Sequence, residues 1–509
     1  MKRLLALSLF LAGCTSGAKV SPGDSRIQIF YNNDNFAYLE TCGCRVSPIG
    51  GMDRRWNAMK AYPDDSRIFL DAGNLLFKSA VASEFLAPQW SEQAAGVVEA
   101  YNLLGADAVE VGETEFALGV DRFRELTAKA KFPFISANIR VRSSGALLLR
   151  DSVMLSRRGK KIGVFGLFGS GLQLPAELRS DDPLVVAVEM VKRLRADGAD
   201  MVIALTHEGY EADQKLARTV PGIDLIVGGH SQSLLQHPYE EGKTLLVQLS
   251  NEGQMLGMVE YRASDLPKTR TQFVVAELNN EFNDGPKDLA NPMKGLVAVT
   301  NLRIQETNHA LDKKIWDEQE KRAPATGPET FLSCRECHAR QADFHAGKPH
   351  SAAFLTLLAK HKEQNLDCVK CHSVGMGVTG GFDSLANAFR DSAGKMVPLE
   401  KVMSFTGSDF PKDISYRAAA PKRVLADVEK WQGALVKAGV TKAFVGVQCE
   451  NCHGSLPGHP FSGAHPTEVR ITSCVQCHTR EQAPDWYSAD GNLLEDKAQA
   501  KLSSMKCPR

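Results

Sequence analysis

Four copies of one short pattern stand in the last third of the chain: Cys334-Arg335-Glu336-Cys337-His338, Cys368-Val369-Lys370-Cys371-His372, Cys449-Glu450-Asn451-Cys452-His453 and Cys474-Val475-Gln476-Cys477-His478. In C-x-x-C-H two thiols can form thioether bonds to a haem, and the adjacent imidazole binds its iron. Paired C-x-x-C thiols also build zinc sites, but zinc does not require a His directly after every pair. The pattern predicts four covalently bound c-type haems. Each iron then has a second axial face. A His there favours electron transfer, and an open face admits a small molecule. Outside the motifs the same segment holds His345, His350, His361, His459 and His465. His345, His350, His459 and His465 are candidate distal ligands. His361, in Lys360-His361-Lys362, reads equally well as solvent-exposed. No C-x-x-C-K occurs.

The start of the chain says where this chemistry would take place. Lys2 and Arg3 precede the apolar run Leu4–Leu11, which ends in Leu11-Ala12-Gly13-Cys14. Such a run is a secretory signal, too short to span a membrane. Its ending resembles a bacterial lipobox, which implies acylation of Cys14 and an exported lipoprotein; an ordinary signal peptide is the alternative. Thr15 follows the Cys where an inner-membrane retention signal has Asp, so the expected location is the outer membrane, on its periplasmic face or at the cell surface. Partners would be the membrane, through the lipid, and redox proteins.

The chain has 60 basic and 60 acidic residues among 509. This balance gives no basic excess for nucleic acid. Of 12 Cys, eight lie in the motifs and Cys14 is assigned to lipid, leaving Cys42, Cys44 and Cys507.

The elements that must carry these groups fall into two kinds. After a polar tether at 15–25, apolar runs alternate with amphipathic stretches. Expected strands are Ile27–Tyr31, Ile68–Leu70, Ala108–Val111, Phe134–Ala137, Ile162–Leu167, Met201–Leu205, Leu225–Val227 and Leu245–Leu249. Expected helices include Glu92–Leu104, Val120–Ala130, Pro183–Asp197 and Ala212–Thr219. The alternation predicts an α/β layered sandwich over 26–283. A helical linker over 284–330 and an α-helical, loop-rich haem domain over 331–509 would follow. At this haem density the porphyrins are expected to form much of the second core.

The α/β segment resembles the calcineurin-like metallophosphoesterases of the 5′-nucleotidase type, through IFYNNDNF, LDAGN, VGETEFALG, SANI, ALTHEG and LIVGGHSQ. That resemblance implies two metal ions held at strand ends. Asp34 matches the first ligand, and His207 and His230 match later histidines. Phe36 stands where a His is implied, Asn74 where the bridging Asp is, Glu113-Thr114 where Asn-His is, and Gln232 where the last His is. The ordinary two-metal site is therefore expected to be lost, with Asp34, His207 and His230 its remnant. Cys42 and Cys44 could rebuild a single soft-metal site with these residues and Glu113, taking zinc or another divalent metal. Alternatively they form a disulfide, with each other or with Cys507. Gly50-Gly51 before Arg54-Arg55 reads as an anion site or as a turn with a solvated helix start.

The haem segment resembles the cytochrome c-554-like tetrahaem family, through the Cys334 and Cys449 motifs, Lys348-Pro349-His350-Ser351-Ala352-Ala353-Phe354, and the motif order. His372 and Cys449 stand 77 positions apart, between two pairs of motifs. His350 and His459 match distal-ligand positions of that family. The leading expectation is an electron carrier with an inactive phosphoesterase-like domain as a binding or docking module. The alternatives are a metal-dependent phosphoesterase with an appended cytochrome, and a multihaem redox enzyme acting at an open haem.

Overall fold

In the computed structural model the described residues are 25–41, 48–287, 289–318, 328–407, 410, 416, 419–454, 469–480, 482–488, 492–505 and 507–508. Cys14, Cys42, Cys44, His459 and His465 lie outside them. The chain divides into two compact units, residues to Ala82 with Trp90–Thr300, and Ser83–Gln89 with Asn301–Arg509.

The first unit is built on two six-stranded mixed sheets. One runs in the order Arg270–Glu277, Met255–Arg262, Arg26–Asn32, Arg67–Asp71, Ala108–Glu110, Phe134–Ile135. The other runs Tyr239–Glu241, Thr244–Val247, Leu225–Gly228, Met201–His207, Lys160–Phe168, Ser152–Arg157. Their inner faces share one core, in which Ile27, Ile29, Ile68 and Leu70 meet Ile162, Val164, Ile203 and Val227. The outer face of the second sheet is covered by helices Pro183–Ala196 and Tyr210–Thr219, through Val186, Met190, Leu194 and Leu216. Asp182 starts the first of these by accepting from Leu184 N and Val185 N, with Pro183 in the first turn. On the first sheet, the Phe69 ring meets Tyr101 of helix Ala87–Leu104 at 5.3 Å.

All eight expected strands are present, because parallel strands covered on both faces read as continuous apolar runs. The antiparallel strands Met255–Arg262 and Arg270–Glu277 were not expected from the sequence. Gly257 interrupts the first, and a Cβ there would lie 2.0 Å from the Tyr31 ring. Helix Met52–Lys60 does follow the Gly50-Gly51 turn, but it is buried rather than solvated. Arg54 is spent on Pro48 O, Leu278 O, Asn280 and Asn283. Arg55 is spent on Tyr101 and Asn32. This replaces the anion-site reading, since both guanidinium groups serve the protein's own oxygens.

The stretch expected as a linker contains the packed helix Met293–Asp317, and the division between units falls inside it. Its Ile304 and Ile315 are buried, and Asn308 donates to Gln89 Oε1 and Gln364 O. The second unit consists of short helices with a two-stranded ladder, Phe389–Arg390 with Lys442–Ala443. Its longest helix outside that first one, among the described residues, is Pro421–Lys437. Beside the porphyrins expected to form much of this core, the chain supplies an apolar cluster of its own. Trp431 sits among Phe354, Phe389 and Phe410, with ring separations of 5.9 to 6.4 Å. Phe382, Leu385, Val397, Val402, Leu435 and Phe444 extend that cluster. Most of it comes from the long stretch between the second and third motifs, which therefore folds as protein core. Among the described residues no helix is long and apolar enough to cross a membrane.

Candidate functional site

In the first unit the chemistry-bearing residues stand at the carboxyl ends of parallel strands, where α/β sheets place their sites. Asp34 follows strand Arg26–Asn32, Asn74 follows Arg67–Asp71, Glu113 follows Ala108–Glu110, His207 ends Met201–His207, and His230 follows Leu225–Gly228. The chain turns sharply at these points. Asp34, Asn74 and His230 have φ of 49°, 54° and 73°, a region that few non-glycine residues occupy. Gly112 lets the group assemble, since a Cβ there would lie 2.2 Å from Asn74 Oδ1 and 2.6 Å from His207 Nε2.

Glu113, His207 and His230 each bring one ligand atom to within 4.8 Å of the others. His207 Nε2 lies 3.0 Å from Glu113 Oε2, and His230 Nδ1 lies 3.3 Å from Glu113 Oε1. His207 Nδ1 donates to Ala72 O at 2.6 Å, which fixes the tautomer and turns Nε2 toward Glu113. Burial alone would raise the Glu113 carboxyl. The hydrogen bond with His207 and the adjacent His230 imidazole hold it well below the usual range instead. Burial would lower His207, but the Glu113 hydrogen bond and the Asp34 charge raise it. The three side chains fit a divalent metal.

Asp34 was expected among the metal ligands and is not part of this group. Its Oδ1 accepts from Asn74 Nδ2 at 3.0 Å, and its Oδ2 accepts from Asn33 Nδ2 and the His230 amide, both at 2.9 Å. Asn74 Oδ1 accepts from Thr114 N at 3.1 Å, and Gln232 Oε1 accepts from Asn251. Sequence reasoning named Glu113 only as a possible ligand of a single soft-metal site rebuilt with Cys42 and Cys44. The signal that it ligates is a carboxylate between two strand-end histidines, which needs the fold.

In the second unit each haem motif lies on a helical turn. The His338, His372 and His478 amides donate to Cys334 O, Cys368 O and Cys474 O, and Cys449–His453 is itself helical. Both thiols and the imidazole of a motif therefore share one turn, as attachment to a single porphyrin requires. The motif cysteines are half-buried or exposed rather than in the core. His372 Nδ1 donates to Ala353 O at 2.6 Å, making Nε2 the nitrogen able to coordinate. Thiols of different motifs come together in two pairs, Cys334 with Cys449 and Cys371 with Cys477. The His350 ring lies 5.9 Å from that of His478. Burial first, then His478, His345 and His372, push His350 down to about 4, so it stays neutral. His345 packs on Phe331, and its buried Nδ1 has no hydrogen-bond partner among the described residues. The shared turn within each motif and the oriented His372 imidazole fit haem. Among the described residues Cys507 is an unbridged thiol, and the disulfide considered between it and Cys42 or Cys44 falls on residues outside the described ones.

Comparison with known proteins gives matches of two kinds. Over 233 residues the chain is 29% identical to 5′-nucleotidase of Mus musculus, covering 42% of this chain and 38% of that one. Over 265 residues it is 30% identical to 5′-nucleotidase of Homo sapiens, covering 47% of this chain and 44% of that one. The amino-terminal domain is 5′-nucleotidase-like. Its mixed sheets are those of a calcineurin-like phosphoesterase fold. The chain spans less than half the length of these two curated relatives. Among solved structures, the 5′-nucleotidase precursor from Thermus thermophilus gives a TM-score of 0.47 at 20% identity, covering 67% of this chain and 68% of that one. Residues 333–394 match the family described as cytochrome c554 and c-prime. That match takes in the first two C-x-x-C-H motifs, outside the 5′-nucleotidase-like domain.

Proposed function

We propose that this protein is an exported, lipid-anchored electron carrier with four c-type haems, and that its 5′-nucleotidase-like domain serves as a binding or docking module. The observation that carries this reading is that each of the four motifs holds two thiols and an imidazole on one helical turn. The cytochrome c554 match supports it. Bound haem supplies a one-electron iron couple. The chain's own residues hold and orient it: His372 through Ala353 O, and His350 as a neutral imidazole beside His478. Redox partner proteins and an outer-membrane location, through acylated Cys14, belong to the same proposal. The pyridine haemochrome of the mature protein should give four haems per chain. Two or fewer, with zinc in their place, would sink it.

A second reading, a metal-dependent phosphoesterase, is favoured by the Glu113–His207–His230 group. Two-metal hydrolysis needs an oxygen that bridges both ions, and Asn74 stands at that place with its oxygen held by Thr114 N. We therefore expect no appreciable turnover of nucleoside monophosphates or an aryl phosphate with manganese, zinc or magnesium. Rates on the order of 1 per second or more, lost on His207→Ala, would establish the second reading instead.

A further inference from the structure

The two-ion centre implied by the phosphoesterase resemblance does not fit the residues at its position. We infer that Glu113, His207 and His230 bind a single first-row transition-metal dication, and that the place of a second ion is closed by hydrogen bonds within the protein.

The argument begins with charge. At Asn74 a neutral amide stands where the resemblance implies a bridging carboxylate. At Glu113 a carboxylate stands where it implies a neutral amide. The two substitutions together keep one anionic donor beside two imidazoles, but they move it. A carboxylate at 74 could reach two ions. A carboxylate at 113 lies between His207 and His230 and serves one.

The local geometry comes within a few tenths of an ångström of what one ion needs. A four-coordinate ion with bonds of about 2.0–2.2 Å has ligand atoms about 3.3–3.6 Å apart. The Glu113 oxygens lie 3.0 Å from His207 Nε2 and 3.3 Å from His230 Nδ1. Two imidazoles and one carboxylate suit zinc, manganese, cobalt or ferrous iron, and leave positions for water or an anionic oxygen ligand. Access exists on one side, because the Glu113 and His230 side chains are 20% and 34% exposed.

The other ion's donors are committed. Asp34 accepts three hydrogen bonds, from Asn74, Asn33 and the His230 amide. The Asn74 amide has one orientation that satisfies its surroundings: its oxygen must face the Thr114 N–H, so its NH2 faces Asp34 and, at 3.5 Å, Glu113. An NH2 group repels a cation from this position. Phe36 offers no donor, and the Gln232 oxygen is taken by Asn251.

The test uses the full-length, haem-loaded protein dialysed against manganese(II), with manganese and protein each quantified; haem iron does not interfere with that count. One manganese per chain is expected, with a mononuclear manganese signal in electron paramagnetic resonance. Glu113→Ala and His230→Ala should each lower retained manganese at least tenfold while leaving the haem spectrum unchanged. Should Glu113→Ala fail to fold, His230→Ala, with its partly exposed side chain, decides the matter. Two ions per chain, an exchange-coupled manganese pair, no ion in the wild type, or undiminished binding in the variants would each overturn the inference. Haem content is measured separately, so this outcome is independent of the electron-carrier reading.

Discussion

The Asn74 amide donates to Asp34 Oδ1 at 3.0 Å, with both side chains buried. One NH2 group thus occupies ground that a carboxylate would need in order to bridge two ions. Asn74→Asp would set a second carboxylate against Asp34 and remove the donor. In metal-free buffer the variant should lose about 1–3 kcal/mol, the cost of an unsatisfied buried polar group. Manganese should restore part of that loss. Thermal melts with chelator and with manganese check this, and an unchanged midpoint in chelator would contradict it.

Arg55 is 1% exposed and links Tyr101 and Asn32, both of which also bond Asp71. Removing one member of a buried charged network costs about 3–5 kcal/mol. Arg55→Ala should destabilise the first unit by that amount in denaturant titrations. Arg55→Lys should recover little, because a point charge cannot reproduce the planar fork. A loss under about 0.5 kcal/mol would be within the range of ordinary surface substitutions and would contradict the network argument.

His350 is the neutral imidazole beside His478. If it is a sixth ligand, His350→Ala should convert one haem equivalent from low spin to a high-spin or water-ligated form. Optical and paramagnetic resonance spectra of the oxidised protein report this directly. An unchanged spectrum would remove His350 from the ligand set.

Cys14→Ser should release the protein from membranes or block its processing, because the thiol is the proposed acylation point. Fractionation of cells carrying the variant checks this. Membrane association equal to wild type would mean that anchoring does not use Cys14.

Several features were readable without the fold. C-x-x-C-H is a local pattern whose members lie within one helical turn, so tertiary structure has little to add to its identification. Strands such as Ile162–Leu167 and Met201–Leu205 announce themselves because both of their faces are buried. Strand Met255–Arg262 did not, because Gly257 is dictated by the Tyr31 ring on a neighbouring strand. Nor did the burial of Arg54 and Arg55, since a charged pair reads as solvated until its oxygen partners are in place, Leu278 and Asn280 for Arg54 and Tyr101 and Asn32 for Arg55.

By itself, the sequence determined the four C-x-x-C-H patterns on which the haem proposal rests, the α/β character of the first 280 or so residues, and the loss of the ordinary two-metal ligand pattern. Each of these depends on residue type and short-range spacing. Tertiary structure decided that Glu113 meets His207, 94 positions on. It also decided that Asn74 turns its NH2 toward Asp34, and that the stretch between the second and third motifs supplies an apolar core. Those outcomes depend on which strand ends and helices become neighbours. That choice is made by burial of the whole chain, and no local pattern encodes it.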